Sequence, residues 1–132
     1  MTVTDKPRPI VDELNAPFWQ ACDPEEGEPR LLLQRCRDCG ELRCPPEKLC
    51  PACGSGAFSW QAASGRATLW SWTRIHKAYL PGFAPPYTAC LVKLEEGPVI
   101  VSALTDEREL IPDMPLRLAF RQGLPVFEPA VE

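Results

Sequence analysis

The sequence is poor in the groups that usually carry chemistry. It has a single histidine, His76, and none of the patterns that activate a nucleophile or hold a catalytic metal: no G-x-S-x-G, no H-E-x-x-H, no paired carboxylates at a strand end. It has no glycine-rich phosphate cradle. No apolar run approaches the ~20 residues that a membrane helix needs. A basic excess is missing too: net charge is −4, which opposes nonspecific binding to nucleic acid. The opening MTVTDKPRPI is no secretory signal, so the expected compartment is the reducing cytoplasm. With 16 prolines in 132 residues, few long helices can survive.

What the chain does have is seven cysteines, four of them in a pattern. Cys36/Cys39 and Cys50/Cys53 each enclose two residues, ten residues separate the pairs, and Gly40 and Gly54 follow them. In such a knuckle the first thiolate binds a metal, the chain curls back, and the second binds it too. Backbone N–H groups of the curl face the sulfurs, and glycine supplies the positive φ that finishes it. Four soft thiolates form a tetrahedral set suited to zinc, with iron as the second choice. Two disulfides are the alternative, disfavoured in a reducing compartment. A site closed by four protein ligands leaves no position for water or substrate, so its role is structural. Metal loading lowers the net charge to about −6, which Arg35, Arg37, Arg43 and Lys48 can offset locally. Cys44, between the knuckles, is either a small buried residue or a spare ligand.

The remaining pattern divides the chain into residues 1–29 (arm and helix), 30–64 (ribbon) and 65–132 (barrel). Val11 to Cys22 is the helical candidate, with Asn15 as N-cap and Pro17 in the first turn. Its face of Phe18, Trp19 and Cys22 packs on the protein's own core or docks a partner. Residues 23–29, DPEEGEP, form an acidic linker. Residues 30–35 read as a strand into the first knuckle. Residues 58–61 lead out of the second, with Trp60 expected to cover the metal module. After a turn at 64–65, residues 67–76 alternate as a long strand, Trp70 and Trp72 on one face, Leu69 and Ile75 on the other. Residues 87–94 and 99–104 follow, joined by an EEGP turn, and then 116–120. Residues 124–127, interrupted by Pro125, read as an edge strand. Five short strands with hairpin turns fit a small closed barrel of the OB kind, giving a mainly β protein. The 105–114 link is too short for the usual capping helix, a place the 11–22 helix can take.

Two further features invite function. The 78–87 loop, AYLPGFAPPY, holds three prolines and displays Tyr79, Leu80, Phe83 and Tyr87. A stiff loop with apolar groups suits a contact surface, or folds over its own barrel mouth. His76 stands before it without an evident catalytic partner and reads as structural or a hydrogen-bonding contact. Cys90 alternates with Val92 and Leu94 as core. Asp106, Glu107 and Glu109 read as a solvated turn.

Together these stretches resemble a known family: the OB-fold, rubredoxin-like zinc-ribbon proteins associated with acyl-CoA enzymes, long classed as a domain of unknown function. The resemblance rests on PFW at 17–19, LLLQRCRDCG at 31–40, CPPEKLCPACGS at 44–55, SGRATLWSWTRIH at 64–76, PYTACLVKLEEGP at 86–98 and LPVFEP at 124–129. The chain departs from the family pattern at Cys44, where an aromatic is usual, and near Glu47 and Lys48, where an arginine is. The resemblance implies a small non-catalytic partner of a thiolase-fold enzyme, a thiolase or retro-aldolase acting on the acyl-CoA of steroid side chains, aromatic or fatty acids. A hotdog-fold hydratase is a further implied partner. It implies structural zinc on Cys36, Cys39, Cys50 and Cys53, and an interface or acyl-CoA contact at His76, Tyr79, Phe83 and Tyr87. The competing reading is a nucleic-acid-binding module, with Trp70 and Trp72 stacking bases and Arg66, Arg74 and Lys77 holding phosphates. A third is a rubredoxin-like electron carrier, if iron fills the site.

Overall fold

A computed structural model of the chain describes residues 10–77, 84–105 and 109–130. Eight strands, one short α-helix and a single 3-10 turn at Pro24–Glu26 make up the regular structure of these residues. The helix α1 runs Ala16–Cys22. The strands are β1 Leu32–Cys36, β2 Leu42–Arg43, β3 Phe58–Ala62, β4 Arg66–Ile75, β5 Tyr87–Leu94, β6 Val99–Leu104, β7 Pro115–Arg121 and β8 Leu124–Pro129. They form two sheets: a three-stranded ribbon in the order β2-β1-β3, and a closed barrel in the order β4-β5-β6-β8-β7. This is the expected mainly β architecture, a ribbon followed by a five-stranded OB barrel.

The helix is shorter than its sequence pattern suggests. Asn15 occupies the N-cap but its side chain makes no cap bond. It looks backward instead: Oδ1 accepts from the Asp12 N–H at 2.8 Å, and Nδ2 donates to the Ile10 carbonyl at 3.0 Å. The Asp12 carboxylate in turn accepts from the Asn15 N–H at 2.9 Å. This reciprocal turn competes with helix over residues 11–15, so the helix begins at Ala16. Phe18 and Cys22, one turn apart, are buried, and Trp19 meets Phe18 edge-on at 4.9 Å. The helix packs on β1 and β8, which places it between ribbon and barrel. Its aromatic face therefore serves the protein's own core.

That core is continuous. Phe18 and Cys22 of the helix, Leu31 to Leu33 of the ribbon, and Leu69, Val92, Leu94, Leu116 and Phe127 of the barrel form one buried cluster. In β5 the inward set is Thr88, Cys90, Val92 and Leu94, every second residue, as a half-buried strand requires.

Two strands depart from expectation. β4 carries a register shift against β5: Leu69 faces Val92 but Ser71 faces Leu91, leaving Trp70 in a bulge. An extra residue offsets the alternation. Trp72 consequently packs on the core while Trp70 remains 54% exposed, so the two do not share a face. β8 is not a free edge. It pairs with β7 along its length through a two-residue turn, Gln122-Gly123, whose φ values of 53° and 80° are those of a tight hairpin. It then closes the barrel by a parallel bridge, Leu104↔Phe127. Pro125 is tolerated because it stands opposite Phe120, one step from the turn-closing pair, where its nitrogen points away from β7. Its carbonyl accepts from Ser102 Oγ at 3.1 Å.

Candidate metal centre

The two knuckles leave the end of β1 and approach the start of β3. Their local folds match. Gly40 N–H donates to the Cys36 carbonyl at 3.0 Å, and Gly54 N–H to the Cys50 carbonyl at 2.8 Å. Gly40 and Gly54 have φ of 80° and 81°, a region that side chains resist. Each curl is closed from outside: Cys36 N–H donates to the Glu41 carbonyl at 2.9 Å, and Cys50 N–H to the Ser55 carbonyl at 2.8 Å.

The result is convergence of Cys36, Cys39, Cys50 and Cys53, whose sulfurs all lie within 4.8 Å of one another. Across the knuckles, Cys36 and Cys53 are 3.6 Å apart, as are Cys39 and Cys50. A tetrahedron with sulfur bonds of ~2.3 Å has edges of roughly 3.8 Å, so the set fits a single metal ion. It does not fit disulfides, whose sulfurs are ~2.05 Å apart, and all seven cysteines are free. Cys44 lies outside the cluster, half-buried against the core.

The electrostatics are those of a cation site. The N–H of Cys39, followed by that of Asp38, holds the Cys36 thiol down at about 6 against desolvation. At Cys50 desolvation opposes ionisation, but the N–H groups of Cys53 and Ala52 outweigh it and the pKa falls. The other member of each knuckle goes the opposite way. The Glu41 N–H favours a Cys39 thiolate, yet desolvation and the neighbouring sulfurs push it up to about 12. The Ser55 N–H favours a Cys53 thiolate, yet the Cys36 sulfur and desolvation raise it. Four crowded sulfurs cannot all ionise by themselves. A divalent cation removes that conflict, because its charge stabilises every thiolate at once.

Around the cluster, Phe58 stands opposite Cys36 in the register and meets Trp60 edge-on at 5.1 Å, while Trp60, opposite Gln34, packs against the common core. Of the four cations, Arg37 and Lys48 are exposed, and Arg35 reaches Gln61 Oε1 at 3.3 Å. Arg43 is 5% exposed, as deep as a core residue, and its guanidinium lies 5.6 Å over the Phe58 ring. Gln34, opposite Arg43 in the register, is fully buried. Sequence reasoning placed Arg43 among the cations around the site, without its burial, and passed over Gln34. A signal existed: Gln34 shares the strand parity of Cys36, two residues away.

The second group of expected site residues is only partly described. Tyr79, Leu80 and Phe83 lie outside the described residues. His76 is exposed, just past the end of β4, with no hydrogen-bond partner among the described residues. Tyr87 begins β5 and lines an apolar cleft of about 370 Å³ with Trp19, Val101, Leu124 and Val126. Of the groups considered for nucleic acid, Arg66 is engaged by Glu95 at 2.6 Å and Trp72 is packed on the core. The three thiols outside the cluster are pushed up by burial, Cys22 and Cys44 to about 12 and Cys90 to about 11. No described helix is long and apolar enough to cross a membrane.

Comparison with known proteins gives a consistent picture. Residues 25–59 match the ChsH2 rubredoxin-like zinc ribbon domain, and residues 60–121 the ChsH2 C-terminal OB-fold domain. The chain is similar to a probable enoyl-CoA hydratase alpha subunit of Thermomonospora curvata, 36% identical over 138 residues, covering 96% of this chain and 40% of that protein. It is similar to a DUF35 domain-containing scaffold protein of Pyrococcus furiosus, 38% identical over 79 residues, covering 58% of this chain and 57% of that one. The chain thus spans less than two thirds of either relative. Among solved structures, one described as "Ltp2-ChsH2(DUF35) aldolase" superposes with a TM-score of 0.80 at 34% identity, covering 94% of this chain and all of that one.

Proposed function

The chain belongs to the family of ChsH2-type zinc-ribbon and OB-fold proteins, and from that premise we propose that it is a non-catalytic accessory subunit of a thiolase-fold enzyme that makes or breaks a C–C bond in an acyl-CoA. The observation that carries this reading is likeness over 94% of the chain, at 34% identity, to a solved structure described as "Ltp2-ChsH2(DUF35) aldolase". Degradation of steroid side chains, aromatic or fatty acids is the setting, and a hotdog-fold hydratase is a second partner. The hydratase subunit and scaffold protein among the relatives support an assembly role.

Physical chemistry supports the division of labour. Zinc on Cys36, Cys39, Cys50 and Cys53 folds the ribbon, and with all four positions filled by protein it leaves no open site for substrate. The remaining thiols are held protonated by burial, so they are weak nucleophiles. His76 lacks a described residue to orient it. Three units share the work: residues 1–29 as arm and helix, 30–64 as ribbon, 65–132 as barrel. The segment from His76 to Tyr87 supplies the contact, with aromatic anchors of the kind that dominate interface energy.

The test is co-expression with a thiolase-fold aldolase, followed by size-exclusion chromatography and an acyl-CoA cleavage assay. A stable complex that cleaves acyl-CoA is expected, with no turnover by this chain alone. The double variant Tyr79→Ala/Phe83→Ala is expected to weaken association by at least ~2 kcal/mol while the isolated subunit keeps its melting temperature. Turnover by the pure chain, abolished by His76→Ala, would overturn the reading. So would a variant that melts early yet still binds.

A further inference from the structure

Arg43 is a charge that the fold has buried without a carboxylate. It is 5% exposed and forms no ion pair among the described residues. Nη2 donates to the Glu47 carbonyl at 3.3 Å, while Nε and Nη1 have no partner. Its cross-strand neighbour Gln34 is fully buried, accepts from the Glu47 N–H at 2.7 Å, and leaves Nε2 without a partner. Burying a guanidinium in this way is costly unless a negative charge compensates it.

The sheet register shows where compensation comes from. Side chains two residues apart on a strand share a face, and directly opposed antiparallel residues share it too. Cys36 and Gln34 are therefore on one face of β1, together with Phe58 opposite Cys36 and Arg43 opposite Gln34. Gln34 and Cys36 lie about 6.6 Å apart along the strand. The guanidinium stacks over the Phe58 ring that stands beside the Cys36 ligand. Four thiolates around a divalent ion carry two excess negative charges, and they lie one pleat away from the buried cation.

We propose that Arg43 is the built-in counter-cation of the metal centre, and that Gln34 and Arg43 together grip the backbone of Glu47 to hold the segment that delivers Cys50. Arg43 is a positioning residue: its charge acts on the metal–thiolate group through a low-dielectric layer, and its fork fixes the approach to the second knuckle. This rests on the metal-binding part of the function proposed above and is independent of the partner.

The experiment uses the full chain, loaded with iron as a reporter and separately with zinc. Arg43→Lys keeps the charge, Arg43→Met removes charge and donors, and Arg43→Gln removes the charge while keeping a donor for the Glu47 carbonyl. The glutamine variant serves if methionine prevents folding. One-electron reduction adds negative charge at the iron, so loss of the cation disfavours it. Both neutral variants are expected to lower the reduction potential and to speed zinc release into a chelator by roughly 10–100-fold, with lysine close to wild type in potential. Neutral variants that keep the wild-type potential would overturn the proposal, as would a lysine variant that falls as far as glutamine. Wild-type protein that takes up no metal would instead refute the metal site itself, so the two failures are distinguishable.

Discussion

The ribbon and the barrel solve the same problem by different physics. The barrel buries Leu69, Val92, Leu94, Leu116 and Phe127, and closes its own edges through the β7–β4 and β6–β8 contacts. The knuckle end of the ribbon has no comparable apolar set. Residues 37–41 and 51–54 are all exposed, and β2 is only two residues long. What holds that end is a set of four sulfurs within 4.8 Å and a buried polar pair beneath them. A segment this small cannot offset its conformational entropy by area alone, and a metal ligated by the four thiolates would supply the missing free energy. The contrast is not absolute, because Leu31 to Leu33 join the common core: the ribbon is apolar where it meets the barrel and lined by the four clustered cysteines where it leaves it.

The largest effect should come from breaking the metal end. In zinc-loaded protein, Cys50→Ser or a chelator should remove a contribution on the order of 10 kcal/mol from the ribbon. Hydrogen exchange should then show loss of protection over residues 36–58, while β4–β8 amides keep theirs. Simultaneous loss in both regions would mean that ribbon and barrel are one cooperative unit, and the contrast would not stand.

A barrel deletion tests the other side. Phe127 is fully buried and lies where β8 meets both β7 and β6. Phe127→Ala should cost about 3–5 kcal/mol in chemical denaturation. In protein loaded with zinc, the metal should remain bound until the barrel itself unfolds, and early release would show that the common core also shapes the knuckles.

How much of this was legible depends on the kind of constraint. The cysteine spacing is a local code, since two residues between thiols and a following glycine specify a knuckle without reference to the rest of the chain. The inward alternation of β5 is similarly local. Trp70 was misplaced because a bulge is set by pairing with a partner strand, which one strand's pattern does not contain. Pro125 was misplaced because a missing N–H matters only on the side that needs it, and that side depends on the Gln122-Gly123 turn. The burial of Gln34 and Arg43 was not legible because it arises from three strands meeting, and β2 is too short to announce itself. In each case the missing information is tertiary.

A smaller effect isolates backbone from side chain. A Cβ at Gly54 would have nothing within 4 Å, so Gly54→Ala creates no clash, but its φ of 81° makes the substitution strained. The expected penalty is about 1–2 kcal/mol, confined to the ribbon. Zinc affinity should fall accordingly, with the barrel's denaturation midpoint unchanged. A full loss of zinc would show that the residue after the ligand does more than permit the turn.

The smallest effect belongs to the salt link at the barrel's start. Arg66 Nε donates to Glu95 Oε2 at 2.6 Å and Nη2 to Oε1 at 3.2 Å, a forked pair, with both side chains largely in water. The hydrogen bond from Arg66 holds the Glu95 carboxyl below its ordinary value, with Coulomb attraction adding to it. The sign follows: a group whose folded pKa is depressed stabilises the fold above its unfolded pKa and loses that contribution as pH falls through the folded value. The window therefore lies below the ordinary carboxylate range, on the acid side of about 4.5. Solvent screening makes the contribution slight at neutral pH. Glu95→Gln should lower the melting temperature a little at pH 7 and low salt, not at all at about 1 M salt, and not at all below the window, where wild type is protonated as well. A large, salt-resistant drop would mean that this pair fixes the β4–β5 register, and the barrel would then share the ribbon's dependence on a few polar contacts.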